Sequence, residues 1–238
     1  QIINVTNDYG VLVLTGPRSR DILTQLTDAD LSNQSFPWLR CQEIEVAGIS
    51  VRALRVSYVG ELGWELHHPM DRMQELYDQL HVKGKAFGLK DFGTYAVNSL
   101  RMEKAYKAWG GELTTEITPV EADLLRFVDF SKSFTGREAT LARKLQGSAL
   151  KLVYLNLHSP ETDCLGNEPI FDGDKMIGVT TGGAYGHTVS KSLAFAYVPP
   201  AYGAPGTRFD IPLLGERRSA TVIAEAVYDP NNDRLKNK

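Results

Sequence analysis

The segment Arg55–Leu66 (RVSYVGELGWEL) places one carboxylate, Glu61, between Gly60 and Gly63, with Tyr58 and Trp64 to either side. A carboxylate held in a glycine-bounded turn offers two oxygens to a flat pair of donors. It would meet them through two parallel hydrogen bonds, as it meets a guanidinium. The 2-amino group and N3–H edge of a pterin is such a pair, and Tyr58 and Trp64 would cover the ring faces. The same residues also suit a solvated hairpin glutamate, and Gly-Glu-x-Gly alone leaves both readings open. Trp109, ahead of Gly110-Gly111, is a second candidate, because glycine lets a ligand approach the backbone. The other reading of Trp109 is an indole that caps a core. Arg101 lies inside an expected helix and is read as salt-bridged to a neighbouring carboxylate. Asn98 and Tyr95 share that helix and carry no stronger claim.

Other chemistries find no support. There is no G-x-G-x-x-G, no G-x-x-x-x-G-K-[ST] and no G-x-S-x-G, and the cluster Gly182–Gly186 fits none of them. His67 and His68 are adjacent, so on a strand they point to opposite faces, and no metal site is read. Cys41 and Cys164 are far apart and make no disulfide framework, which sets a reducing compartment as the default. The chain carries 26 Lys+Arg against 29 Asp+Glu, a net charge of −3, and its pI is about 6.0. That balance argues against a broad nucleic-acid footprint or a polybasic membrane surface. The apolar run Ser192–Val198 falls far short of the ~20 residues of a membrane helix. Gln1–Asn7 has neither a basic head nor a long apolar stretch, so no signal peptide is read there. A start on Gln1, with the first methionine at Met70, leads us to expect a chain that is either trimmed or a piece of something longer.

These residues need elements to hold them. Tyr9–Thr15 reads as a strand and Arg18–Leu26 as an amphipathic helix after Gly16-Pro17. Glu43–Ala47 and Ile49–Tyr58 read as strands around a hairpin at Gly48, and Trp64–His67 as the strand leaving the Glu61 turn. Asp71–Leu80 and Gly93–Tyr106 read as helices, with Glu103 and Lys107 as an i,i+4 pair. Gly136–Leu145 reads as the last helix. From Ala149 the texture changes to short strands at Lys151–Leu157, Ile170–Phe171, Met176–Thr181, Leu193–Val198, Phe209–Leu213 and Ala220–Ala226. Thr180-Thr181-Gly182-Gly183 reads as a strand bend. The expected boundary separates residues 1–147 from 148–238.

Taken in order, SYVGELGWEL at Ser57–Leu66, FGTYAVNSLRMEKAYKAW at Phe92–Trp109 and TPVEA at Thr118–Ala122 resemble the aminomethyltransferase-like folate proteins, a family that includes the glycine cleavage T-protein. Gly16-Pro17-Arg18-Ser19-Arg20, Asp30-Leu31-Ser32-Asn33, Ser192–Pro199 and Asp229-Pro230-Asn231-Asn232 extend the likeness over essentially the whole chain. The nearer resemblance is to the C-terminal folate-binding half of dimethylglycine and sarcosine dehydrogenases. It implies an α+β fold, a ferredoxin-like α/β subdomain followed by a small C-terminal antiparallel β-barrel. It also implies tetrahydrofolate as ligand, with FAD only in an upstream flavin domain in cis. That domain oxidises an N-methyl amine, and the folate part captures the one-carbon unit as 5,10-methylenetetrahydrofolate.

Residue by residue, the resemblance matches Glu61 to the glutamate that grips the pterin; Tyr58 and Trp109 stay cofactor-binding candidates on their own chemistry. The family's catalytic aspartate falls outside this chain, so no catalytic residue is assigned and the chain alone is expected to be inactive. The T-protein's folate-tail arginine corresponds to Val97, and its C-terminal folate tyrosine has no counterpart in Asn231–Asp233. Two other readings are a stand-alone aminomethyltransferase and a non-catalytic regulatory subunit like that of pyruvate dehydrogenase phosphatase. The latter matches the Gly60–Gly63 turn less well. The compartment would be the cytoplasm in a bacterium and the mitochondrial matrix in a eukaryote.

Overall fold

The computed structural model describes residues 1–159 and 161–236. The chain forms two compact units. The first is Gln1–Val97 with the C-terminal segment from Asp229, and the second is Asn98–Tyr228.

In the first unit, β1 (Tyr9–Thr15), β2 (Cys41–Val46), β3 (Ile49–Leu54) and β4 (Gly63–Pro69) form an antiparallel sheet in the order β1-β4-β3-β2. Alternation drives it. Ile49, Val51 and Ala53 turn inward while Ser50 and Arg52 face out. β2 and β3 join through Ala47 and Gly48, both with positive φ (53° and 75°), the geometry of a type I′ hairpin turn. The helices α1 (Ser19–Leu23) and α2 (Met73–Gly84) pack on the inward face, where Leu23, Phe36, Trp64, Leu66 and Leu76 are fully buried. α1 is shorter than the expected Arg18–Leu26. Beyond Leu23 the chain tightens into i→i+3 bonds, Gln25 N–H to Ile22 and Leu26 N–H to Leu23. Leu26 still packs against the core.

The helix α3 (Thr94–Glu103) begins in the first unit and ends in the second. It stops at Glu103, and Ala105 has φ 54°. The expected pair of Glu103 with Lys107 on one helix face is therefore wrong. Glu103 is buried instead and accepts the Thr188 N–H at 2.7 Å. After α4 (Arg137–Gln146) come β5 (Lys151–Leu157), β6 (Pro169–Asp172), β7 (Lys175–Gly186), β8 (Lys191–Val198), β9 (Arg208–Leu213) and β10 (Glu216–Ile223). They close an antiparallel barrel in the order β10-β5-β8-β7-β6-β9. The fold is thus α+β, a mixed unit followed by a barrel. The bend read at Thr180–Gly183 is a register shift between Thr180 and Gly182. Nearby, Gly178 passes so close to β8 that a Cβ would sit 2.1 Å from the Tyr197 carbonyl oxygen. α4 is not the last helix, because a single turn, α5 (Asp233–Lys236), follows the barrel in sequence and belongs to the first unit.

Candidate functional site

Glu61 sits on a loop that is longer than the sequence suggests. β3 ends at Leu54 rather than Tyr58. Pairing with β4 ends at Leu54 and Glu65, while on the β2 side Arg55 still takes the Leu39 N–H and gives its own N–H to Arg40. Gly60 then takes φ +81°, a left-handed conformation suited to a residue without Cβ. The far side of Glu61 is clamped. The Leu62 carbonyl accepts the Gly16 N–H at 2.8 Å, the Ser19 hydroxyl at 3.0 Å and the Thr15 hydroxyl at 3.2 Å. A fixed loop therefore presents a carboxylate whose side chain is 18% exposed.

The sequence gives no hint of what faces that carboxylate. Arg234 Nη1, on α5, lies 3.8 Å from Glu61 Oε1. α5 is seated there by Leu235, which is 2% exposed, and by Arg55 Nη2, which donates to the Lys236 carbonyl at 3.1 Å. Arg234 and Glu61 lie 173 positions apart, and nothing local in either stretch pairs them.

Tyr58 is on the same loop and exposed. Trp64 is not a ring cover. It is fully buried in the core, 6.3 Å from Phe36 in an edge-on arrangement. The pleat of β4 puts it on the same face as Leu66, and that face is the core. Trp109 belongs to the second unit, in a turn closed by Gly110 N–H to the Leu113 carbonyl at 2.8 Å. At 77% exposure its indole does not cap a core.

Arg101 does find a carboxylate. Its Nη1 is 2.8 Å from Glu112 Oε2, and both groups are buried. Asn98 gives its amide to the Gly183 carbonyl at 3.1 Å, and Tyr95 is exposed. His68 is buried and His67 half-buried, on opposite faces of β4. Among the described residues no group of three or more His, Cys, Asp or Glu is placed to hold a metal. No helix among them is long and apolar enough to cross a membrane. Cys41 is exposed and Cys164 buried, and burial pushes the Cys164 thiol up to about 12.

A cavity of about 470 Å³ opens in the first unit between β1 and the end of α2, walled by Leu14, Ile22, Leu80, Phe87 and Leu89. Glu61, Tyr58 and Arg234 do not line it. Three of its polar groups are engaged with each other, since Tyr77 donates to Asp91 at 2.8 Å and His81 Nε2 lies 3.1 Å from the same carboxylate.

Comparison with known proteins places the chain. Residues 1–132 match the family described as GCVT N-terminal domain, and residues 151–229 match the Glycine cleavage T-protein C-terminal barrel domain. The mitochondrial dimethylglycine dehydrogenase of Homo sapiens is 41% identical over 242 residues, covering 100% of this chain and 28% of that protein. The mitochondrial sarcosine dehydrogenase of Mus musculus is 34% identical over 245 residues, covering 99% and 27%. An aminomethyltransferase of Caldanaerobacter subterraneus is 32% identical over 232 residues, covering 97% and 62%. In structure, the glycine cleavage system aminomethyltransferase T from Bartonella henselae superposes with a TM-score of 0.82 at 25% identity, covering 93% of this chain and 60% of that one. The chain therefore spans about 28% of the length of the dehydrogenases it matches.

Proposed function

Since the chain belongs to the GCVT family, we propose that it is the tetrahydrofolate-binding part of a dimethylglycine or sarcosine dehydrogenase-like enzyme. The observation that carries this reading is the Glu61 loop. Gly60 and the clamped Leu62 carbonyl hold the carboxylate in place, and a planar guanidinium already approaches its Oε1. The 2-amino and N3–H edge of a pterin is a donor array of the same shape. In this reading Glu61 orients the pterin, and Tyr58 on the same loop covers a ring face. Trp109, exposed on the second unit, is a separate candidate for stacking. Tetrahydrofolate, when bound, supplies the two nitrogens that take up the one-carbon unit as 5,10-methylenetetrahydrofolate. Amine oxidation belongs to a flavin domain elsewhere in the full protein, and no residue of this chain is assigned to it. A stand-alone aminomethyltransferase would use the same glutamate. The higher identity to the dimethylglycine dehydrogenase, 41% against 32%, supports the dehydrogenase reading.

Calorimetric titration with tetrahydrofolate tests the proposal, in the longest natural protein that contains this chain. Glu61→Gln replaces one acceptor oxygen with a donor amide facing a pterin N–H. The expected loss is ~2–4 kcal/mol, or ~30- to 900-fold in affinity, with an unchanged melting temperature. Equal affinity for wild type and Glu61→Gln would sink the assignment. Tyr58→Ala and Trp109→Ala are each expected to cost less, ~1 kcal/mol, the scale of one aromatic contact.

A further inference from the structure

Two arginines of the first unit share one indole and, among the described residues, meet no carboxylate. Arg55 is 1% exposed. Its Nη1 donates to the Phe36 carbonyl at 2.6 Å and its Nη2 to the Lys236 carbonyl at 3.1 Å, both neutral acceptors. Arg20 is half-buried and gives Nη2 to the Asn33 side-chain oxygen at 2.8 Å, also neutral. Each guanidinium carbon lies 5.9 Å from the Trp64 ring centroid. Arg20 Nε, Arg55 Nε and Trp64 Nε1 are all buried without a hydrogen-bond partner among the described residues. The nearest acidic neighbour in sequence, Asp21, is held by Arg18 at 2.7 Å. Burial, and then the charge of Arg20, pushes the Arg55 guanidinium down to about 10.

Buried donors are almost always satisfied, and a buried charge without a counterion is costly. Three unmet N–H donors around one ring, two of them on cations, call for an acceptor. Water would satisfy the donors but leave the charge. The arginine fork fits carboxylate and phosphate oxygens, and an indole N–H adds one further donor. We propose that Arg20, Arg55 and Trp64 form an anion site that takes one compact oxyanion, a carboxylate or a phosphate group. Half-buried Arg20 is the side from which the anion enters. The site is distinct from Glu61, whose negative charge suits a cationic or donor-rich edge. The oxyanion is either a free inorganic ion or the acidic end of a larger ligand.

The test titrates the full chain with sodium phosphate, and separately with sodium acetate, against sodium chloride at matched ionic strength. One readout is the melting temperature. The other is the amide and indole N–H spectrum, in which Trp38→Phe and Trp109→Phe identify the Trp64 peak. An anion at roughly tenfold its dissociation constant is expected to raise the melting temperature by about 3 °C and to move the Trp64 indole peak. A response to phosphate alone indicates a free phosphate ion, and a response to acetate indicates a carboxylate terminus. Arg20→Gln is expected to lose both responses. In chloride it is expected to melt no lower than wild type, because burial costs the Arg20 charge more than Asp21 returns, whereas a purely structural arginine would show a drop. If Arg20→Gln fails to fold, Arg20→Lys carries the test with a weaker but measurable response. Glu61→Gln is expected to leave the anion response intact, so this result stands apart from the folate reading. An unmoved indole peak with either anion overturns the proposal, and so does an equal response in Arg20→Gln.

Discussion

Each unit buries an arginine, and the chain treats the two in opposite ways. Arg101 meets Glu112, which has no exposed surface. Glu112 Oε2 takes Arg101 Nη1 at 2.8 Å and the Ala108 N–H at 2.7 Å, while Oε1 takes the Thr181 hydroxyl at 2.8 Å. Arg101 Nε goes to the Asn98 side-chain oxygen. This network is closed by the chain itself and ties the end of α3 to the bulge in β7. Glu121 is handled in the same way, with Thr118, Arg143 and Ser148 all donating to it. Among the described residues Arg55 donates only to carbonyls. A charge that finds its opposite within the fold acts as a staple, whereas one that does not is a candidate for binding something else.

The comparison breaks most visibly at Glu112. Glu112→Ala leaves Arg101 buried and unpaired, and should cost ~3–5 kcal/mol in denaturant unfolding. A loss below ~1 kcal/mol would mean that the pair is not a staple.

Acid probes the second network. Burial pushes the Glu121 carboxyl up, but hydrogen bonds from Thr118, Ser148 and Arg143 outweigh it and bring the carboxyl down to about 2 from an ordinary 4.5. The folded form keeps the charge at a pH where the unfolded form has taken a proton. Its stabilisation is therefore present above 4.5 and lost as the pH falls toward 2, amounting to roughly 3 kcal/mol. Glu121→Gln should flatten that part of the pH–stability curve. In the wild type, hydrogen exchange should show the second unit losing protection in this window.

Leu235→Ala tests whether α5 is seated by packing. It should cost about 2 kcal/mol, the lower end for a buried leucine on a single helical turn. Amides of the Glu61 loop should exchange faster as well. The smallest effect is a gain. Ala47 holds φ 53° in a type I′ turn, and Ala47→Asn creates the favoured Asn-Gly pair, worth about 0.5 kcal/mol in thermal unfolding.

Local patterns made much of this fold legible. Tyr9–Thr15, an apolar β-branched run, and Lys151–Leu157, an alternating one, are strands over the residues those patterns mark, and Gly48 lies in the hairpin turn. Trp64 was readable too, since period two puts it with Leu66 on the core face. Its place beside Glu61 in sequence drew attention to a ligand instead. What was not legible is held by distant partners. Glu112 stands in a glycine-rich loop eleven positions from Arg101, a spacing with no helical or strand meaning. Arg20, Arg55 and Trp64 meet only once the sheet and α1 have formed. The loop around Glu61 is longer than the strand pattern implied, because the pairing of β3 with β4 stops at Leu54 and Glu65.

The hydrogen bond from Arg55 to the Lys236 carbonyl spans 181 positions. On a ribosome making 5–20 residues each second, roughly 10 to 35 s separate the synthesis of its two ends. The barrel emerges as a contiguous stretch and can close during that interval. The first unit must wait with the Arg55 side chain unfinished and the seat of Leu235 open to solvent. The slow step in folding this chain is therefore expected to lie in the first unit, whose two parts flank the barrel in sequence.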